Sequence, residues 1–229
     1  TLALLEERLF RSVVTEEDLE RLRQQQIESL EADKEQPSAI ASNVYDKLLY
    51  GKDHNFSVSG AGDVATLQTI TLEDIENFSR SSLVSQALDV TVVGDISQQD
   101  VLARLGFLQN LPNEQVSLRP QPATPQLAGN TLYLVDKPGA AQSEIRIGYM
   151  GTLTYDPTGE YFERSLMNYV LGGAFSSRIN LNLREDKGYT YGAYSNFGGS
   201  KFKGTWGASS EVRTDVTEGA MKEFMYELN

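Results

Sequence analysis

The sequence has no cysteine and only one histidine, His54, among its 229 residues. A chain without cysteine forms no disulfide, has no thiol nucleophile and offers no thiolate to a metal ion. Catalytic zinc sites usually take two or three imidazoles together with a carboxylate or thiolate. One histidine cannot provide that ligand set, so this chain cannot build a catalytic zinc site alone.

Positive charge and long apolar runs are also scarce. The 20 lysines and arginines are outnumbered by 32 aspartates and glutamates, which gives a net charge of -12. This balance excludes nucleic-acid binding that depends on phosphate neutralisation. No apolar run approaches the roughly 20 residues that cross a bilayer, so no membrane span is predicted. The opening TLALLEERLF is not a signal peptide, and both chain ends predict helices, so we expect a fragment of a longer protein.

The common nucleotide-binding and hydrolase motifs GxxxxGK and GxSxG do not occur in the sequence. The segment 60–65, GAGDVA, formally matches a dinucleotide fingerprint, which requires a buried strand before it and a helix after it. Here the preceding HNFSVS is short and polar, and the following TLQTIT is rich in β-branched residues. We therefore interpret 60–65 as a surface loop.

The first half of the chain is predicted to be mainly helical. Apolar residues at helical spacing indicate helices at 15–36 and 38–50, and capping patterns indicate two more after Thr71 and Ser97. The run LDVTVV at 88–93 is predicted to be a buried strand. Acidic pairs such as Glu6-Glu7 are interpreted as solvent-facing residues that complement helix dipoles.

A proline-rich stretch then interrupts the pattern. Four of the seven prolines lie between residues 112 and 125, a composition that cannot continue a helix or a central strand. Beyond it, strands alternate with helices. The predicted strands are 131–136, 143–150, 189–197 and 202–210, and the predicted helices are 159–171, one near Ser177 and one near Asp215. This order indicates an α+β fold with two domain parts, 1–111 and 129–229, joined by a linker at 112–128.

The segment 172–195, GGAFSSRINLNLREDKGYTYGAYS, concentrates the candidate chemistry. Arg184 lies near the end of a predicted helix, and Tyr191 follows seven residues later on a predicted strand. A guanidinium and a phenol aimed into one space could grip a peptide carbonyl or stabilise charge on it. The alternative is that Arg184 forms a surface ion pair and Tyr191 packs in the core. His54 is predicted to be a solvated or hydrogen-bonded loop residue and not a ligand.

The same segment resembles the C-terminal domain signature of the insulinase/pitrilysin zinc metallopeptidases, roughly LGG…SSRL…LRE…GLAYS. The matching residues occur in order as Leu171–Gly173, Ser176–Ile179, Leu183–Glu185 and Gly188–Tyr191. The stretch 48–78 and the strand-like VTVVGDIS also resemble family patterns, so the resemblance covers nearly the whole chain.

The resemblance implies a fold like that of LuxS and the mitochondrial processing peptidases, with antiparallel-rich sheets flanked by helices. Family members close two related halves around a peptide substrate. One half holds zinc through HxxEH and a distant glutamate, and the other contributes an arginine and a tyrosine, which Arg184 and Tyr191 match. No HxxEH occurs here, so the chain is expected to be the substrate-binding, non-catalytic half, with 1–111 and 129–229 as parts of successive peptidase-like domains.

Several expectations follow from this resemblance. Zinc would be bound in the parent enzyme outside this chain, and the partners would be the zinc-binding half and a peptide. A catalytically inactive scaffold or partner subunit is the alternative. Glu28 lies roughly where the third zinc ligand falls in catalytic halves, but its Gln-rich surroundings differ, so it is not assigned as a ligand. Similarity to long bacterial zinc proteases suggests the cell envelope or periplasm, with the cytoplasm as the alternative.

Overall fold

The structure is a computed structural model that describes residues 2–116, 120, 123–125 and 129–229. Contacts divide the chain into two compact units, Thr1–Leu30 with Ala61–Pro120 and Glu31–Gly60 with Gln121–Asn229. None of the described helices is both long and apolar enough to cross a membrane.

The helices and strands of the described residues follow the order of an α+β protein. The helices are α1 (Leu2–Phe10), α2 (Glu16–Asp33), α3 (Pro37–Tyr50), α4 (Val64–Thr69), α5 (Leu72–Ser82), α6 (Gln98–Arg104), α7 (Glu160–Asn168), α8 (Arg178–Asn180) and α9 (Thr217–Leu228). The strands are β1 (Gln142–Met150), β2 (Ala193–Phe197) and β3 (Thr205–Arg213).

The first unit is helical, and α2, α5 and α6 begin where the capping patterns predict. Thr15 accepts a hydrogen bond from the backbone N–H of Asp18 at 3.1 Å, and Thr71 with Asp74 forms a complete capping box. Each such cap satisfies N–H groups that a helix start leaves without partners. Arg23 of α2 fastens the neighbouring segment by donating to the carbonyl of Leu67 at 3.0 Å.

Two sequence predictions in this unit are wrong. The segment 88–93 forms no strand and its valines are exposed, because no neighbouring strand among the described residues pairs with it. The surface loop predicted at 60–65 extends only to residue 63, and a helix begins at Val64. Asp63 accepts a hydrogen bond from Thr66 N at 3.0 Å, and this cap starts the six-residue α4 despite its β-branched residues.

The second unit contains an antiparallel sheet in the order β1-β3-β2. Its register pairs Ile147 with Ala208 and Ile145 with Ser210, so side chains alternate between two faces. One face packs against α8 and α9 around a core of nine buried residues. They are Ile145, Ile179, Leu183, Ala193, Trp206, Ala208, Val212, Ala220 and Phe224.

Helix α3 covers the opposite face of this sheet. The paired glycines Gly148 and Gly207 leave room there for Tyr45, since a Cβ at Gly148 would lie only 1.8 Å from the Tyr45 hydroxyl. Burial, reinforced by Asp46, raises the pKa of Tyr45 to about 12. The glycine pair therefore sets how closely the helix approaches the sheet.

The strand prediction at 131–136 is wrong for the reason given for 88–93, and its apolar side chains are likewise exposed. Of the predicted linker, residues 117–119, 121–122 and 126–128 lie outside the described residues. The second compact unit combines Glu31–Gly60 with Gln121–Asn229. The sequence instead predicted two domain parts, at 1–111 and 129–229. That division concerns domains of a longer protein and stays a prediction.

An acidic pair lies on the sheet face that α3 covers. Glu144 of β1 is directly opposite Glu211 of β3. Burial raises the pKa of Glu144 to about 7, assisted by its hydrogen bond with Glu211 and opposed by Arg146, whose Nη1 lies 3.0 Å from Glu144 Oε2. The pair therefore favours a form in which Glu144 keeps its proton.

This raised pKa predicts a stability that depends on pH. Between about pH 5 and pH 7 the folded chain retains a proton that the unfolded chain releases, so the free energy of unfolding falls as pH rises. We expect Glu144→Gln to flatten this slope and to raise Tm at pH 8, by about 2–4 °C for each kcal/mol relieved. Thermal melts across this range test the prediction, with the exposed Glu218→Gln as control; an unchanged slope in Glu144→Gln would contradict it.

Candidate functional site

The helical segment that precedes the candidate site changes from α-helical to π-helical geometry. After α7 the chain makes a π-helical turn at Tyr169–Gly173, where the sequence predicted the end of a regular helix. A Cβ at Gly172 would lie 2.6 Å from Ser195 N and 2.2 Å from Ser195 Oγ. Only glycine allows the turn to approach β2 this closely, which explains one of the two glycines in the motif.

Arg184 lies on a second π-helical stretch, Leu181–Asp186, which continues α8. Its guanidinium carbon lies 4.4 Å from the centroid of the Phe175 ring, and its Nε lies 3.1 Å from a carboxylate oxygen of Glu185. Among the described residues, the Nη groups of Arg184 make no hydrogen bond. The surface ion pair considered as an alternative is thus present at Nε. The two Nη groups remain available to donate hydrogen bonds to another molecule.

Tyr191 is not on a strand, as the sequence predicted, but in a bend two residues before β2. The cause is Thr190, whose hydroxyl donates to the carbonyl of Gly192 and accepts from its N–H, both at 3.0 Å. Such local hydrogen bonds compete with a strand ladder. The Tyr191 side chain is 90% exposed, which excludes the alternative that it packs in the core.

The turn between these two residues is built on Gly188. Its φ of +64° is in the left-handed region that favours glycine. The N–H of Gly188 donates to the carbonyl of Arg184 at 3.1 Å, and the N–H of Tyr189 donates to Leu183 at 2.9 Å. No hydrogen bond, ion pair or ring contact joins Arg184 to Tyr191 among the described residues.

Helix side chains occupy the outward edge of β2. Asn180 accepts a hydrogen bond from Ala193 N at 3.0 Å, Asn168 donates to Ser195 O at 2.7 Å, and the Tyr161 hydroxyl donates to Phe197 O at 3.0 Å. Alternate residues of an antiparallel edge strand direct their backbone groups away from the sheet. Three successive outward positions of β2 are thus satisfied by side chains and not by another strand.

Both asparagines are buried and bind on two sides. The side-chain oxygen Oδ1 of Asn168 accepts hydrogen bonds from Ser195 Oγ at 2.8 Å and from Trp206 Nε1 at 3.0 Å. Asn180 also donates to the carbonyl of Phe175 at 2.6 Å. No sequence motif singled out Phe175, Asn168 or Asn180. A polar amide inside the apolar runs LMNYVL and RINLN was the available signal, because buried amides require partners.

Two cavities adjoin these elements. One of about 400 Å³ lies between the Tyr169–Gly173 turn and β2. The other, of about 850 Å³, lies between the α8 segment and α9. In the larger one, Asn182 donates to Glu223 and Glu227, and hydrogen bonds from Lys187 and Asn182 lower the pKa of Glu223. Two ion pairs line it, Lys187 with Glu223 and Arg178 with Glu227, and neither cavity is lined by Arg184 or Tyr191.

The described residues contain no group of three or more His, Cys, Asp or Glu side chains that could hold a metal ion. His54 is buried, stacks on Tyr50 at 5.1 Å and accepts from Phe56 N at 3.1 Å, as expected of a hydrogen-bonded loop histidine. Glu28 is exposed on α2, where Gln24 donates to it at 3.0 Å. The residues present do not fit a zinc site.

Comparison with known sequences extends these observations. A family model described as the peptidase M16 inactive domain matches residues 69–229. An uncharacterized zinc protease of Streptomyces coelicolor is 23% identical over 218 residues, covering 92% of this chain and 46% of that protein. The probable inactive metalloprotease YmfF of Bacillus subtilis is 23% identical over 178 residues, covering 74% of this chain and 39% of that protein. The chain spans about half the length of these relatives or less.

Solved structures agree with the sequence matches. The crystal structure of a peptidase M16 inactive domain from Pseudomonas fluorescens superposes with a TM-score of 0.86 at 27% identity, covering 99% of this chain and 54% of that one. The periplasmic protease PqqL from Escherichia coli shares the fold at a TM-score of 0.72 and 13% identity, with 99% and 25% covered. The predicted α+β fold and insulinase-type resemblance are confirmed, and the chain belongs to the peptidase M16 family, of which it is an inactive domain.

Proposed function

We propose that this chain is the substrate-binding, non-catalytic part of a zinc-dependent endopeptidase that cleaves peptides or unfolded segments. In this proposal Arg184 donates hydrogen bonds to a substrate carbonyl, and the Tyr191 hydroxyl stabilises a carbonyl oxygen as it gains negative charge. Zinc supplies Lewis-acid chemistry in such enzymes and would be held by the other half, because the ligands are missing here.

The observation that carries this proposal is the state of the two side chains. Tyr191 is 90% exposed in a bend held by Thr190, and Arg184 rests on an aromatic ring with its Nη groups unused by described residues. A guanidinium stacked on a ring keeps its donors in a fixed plane. Exposed donors on a rigid support are what recognition of a peptide backbone requires.

The chain alone is expected to have no peptidase activity. One histidine and no cysteine cannot complete a zinc site, so added zinc has no ligand set to occupy. We expect incubation with an unfolded peptide to give the same product yield with zinc, with a chelator and without protein. The full-length protein serves as the positive control, and chelator-sensitive cleavage by the chain alone would refute the assignment.

Substitution of the two side chains in the full-length protein tests their role directly. We expect Arg184→Lys and Tyr191→Phe each to lower kcat/KM by about tenfold to a thousandfold, the range for loss of an oxyanion donor. Tyr191→Phe removes only an exposed hydroxyl, so Tm should not change. Tyr226→Phe, another exposed tyrosine, is the matched control; wild-type turnover in both site variants would leave them without a catalytic role.

Helix α7 supports pairing with a second half. Its side facing β2 is polar or small, with Tyr161, Asn168 and the following Gly172 against the strand. The opposite side exposes large apolar residues. They are Phe162, Leu166 and Met167, and Val170 follows them in the π-helical turn. An exposed apolar patch of this kind is typical of an interaction surface, and we infer that the zinc-binding half covers it.

A charge on this face should weaken that pairing. Leu166 is 61% exposed in the chain alone, so Leu166→Glu leaves its own fold intact but places a carboxylate in the inferred interface. We expect at least a tenfold loss of affinity for the separately produced zinc-binding half, measured by titration calorimetry. Leu102→Glu, at 64% exposure on α6, is the matched control, and equal affinity of both variants would contradict the assignment.

A scaffold or partner subunit without catalysis is the second candidate. It is favoured by similarity to YmfF, which is named as a probable inactive metalloprotease. The two candidates differ in the parent: an HxxEH motif with chelator-sensitive cleavage supports the enzyme, and their absence supports the scaffold. We also propose residence in the bacterial cell envelope, which the likeness to the periplasmic protease PqqL supports.

A further inference from the structure

We propose that Asn180 is a positioning residue that holds Arg184 and Tyr191 in their working arrangement. The inference rests on the proposed function, since it concerns the same two side chains. In the part of the chain that the structure describes, Asn180 makes no side-chain hydrogen bond with either of them. It acts through the two backbone segments that carry the Arg184 platform and the Tyr191 bend.

The contacts of Asn180 bridge the two segments. Its Nδ2 donates to the carbonyl of Phe175 at 2.6 Å, and its Oδ1 accepts from Ala193 N at 3.0 Å. Asn180 has no exposed surface, and its bond with Ala193 N is buried, while its bond with the Phe175 carbonyl is partly buried. Only a group with one donor end and one acceptor end satisfies both partners, which also fixes the orientation of the amide.

On the Phe175 side, the bond fixes the support of the guanidinium. The ring of Phe175 lies 4.4 Å from the Arg184 guanidinium carbon, and its backbone carbonyl is the group that Asn180 binds. Phe175 is itself 57% exposed, so little packing holds its ring. Loss of the bond would free the surface on which Arg184 rests.

On the Ala193 side, the bond fixes the end of the Tyr191 bend. Ala193 is the first residue of β2 and follows Tyr191 by two positions. The intervening Gly192 is held by the Thr190 hydroxyl and by Ser210 Oγ, which donates to its carbonyl at 2.9 Å. Asn180 thus connects the backbone N–H of Ala193, just after the bend, to the helical segment that carries Arg184.

Asn168 offers an unusually close control. It too is buried and donates its amide to a backbone carbonyl, that of Ser195, at 2.7 Å. Its partners, Ser195 and Trp206, belong to neither the Phe175 segment nor the Tyr191 bend. Substitution of either asparagine by aspartate removes one donor to a carbonyl and retains the acceptor oxygen. The two changes remove the same kind of donor, although Asn168 Oδ1 accepts two hydrogen bonds and Asn180 Oδ1 accepts one.

The test compares Asn180→Asp with Asn168→Asp in the full-length protein, using a quenched fluorescent peptide well below both Tm values. We expect Tm to fall by a similar amount in both variants. Asn180→Asp should lower kcat by about tenfold to a hundredfold with a smaller change in KM, the effect of misplacing catalytic groups by about 1 Å. Asn168→Asp should keep kcat within about twofold of wild type. In an Arg184→Lys/Tyr191→Phe background, Asn180→Asp should lower kcat no further.

The outcomes separate this inference from the proposed function. If Arg184→Lys and Tyr191→Phe lower turnover but Asn180→Asp does not, only the role of Asn180 is overturned. Equal kcat losses in both asparagine variants also overturn it. Wild-type turnover in the two site variants overturns the proposed function and this inference together. Should Asn180→Asp fail to fold, the exposed Phe175→Leu removes the ring through which this bond would act on Arg184, and a wild-type kcat there refutes the inference.

Discussion

The outward backbone groups of β2 need hydrogen-bond partners, and this need organises the second unit. An edge strand leaves alternate N–H and C=O groups unpaired, and in an apolar environment each unpaired group costs about 1–3 kcal/mol. Here Asn180, Asn168 and Tyr161 supply the partners at Ala193, Ser195 and Phe197. Helical side chains therefore take the place of a fourth strand along this edge.

The irregular features of the segment follow from that arrangement. Side chains as short as asparagine reach a strand only if the helix lies directly against it, which is why Gly172 meets Ser195 without room for a Cβ. The π-helical turns at Tyr169–Gly173 and Leu181–Asp186 adjust the helix along its path, and such turns are frequent at functional sites. The same fit leaves Arg184 and Tyr191 on supports that cannot easily shift.

Local signals in the sequence predicted local structure well. Thr15 with Asp18 and Thr71 with Asp74 form the expected capping boxes, because a cap depends on residues three apart. The strands expected at 88–93 and 131–136 did not form, because pairing depends on a partner distant in sequence. Tyr191 was placed on a strand for a related reason: periodicity does not reveal that the Thr190 hydroxyl binds Gly192 and delays β2 to Ala193. The position of Arg184 at the helix end was predicted correctly, but its Phe175 platform was not.

The polarity of α7 links the edge constraint to the proposed pairing of this chain with a zinc-binding half. A helix on an isolated domain normally turns its apolar side inward. Here the inward side must carry Tyr161 and Asn168 to serve β2, so the large apolar residues fall on the outer side, with Phe162 and Leu166 exposed. Satisfying the strand edge with side chains therefore creates an apolar surface that a second body can bury. The side chains that satisfy the edge of β2 and the surface that would receive the zinc-binding half therefore lie on two sides of one helix.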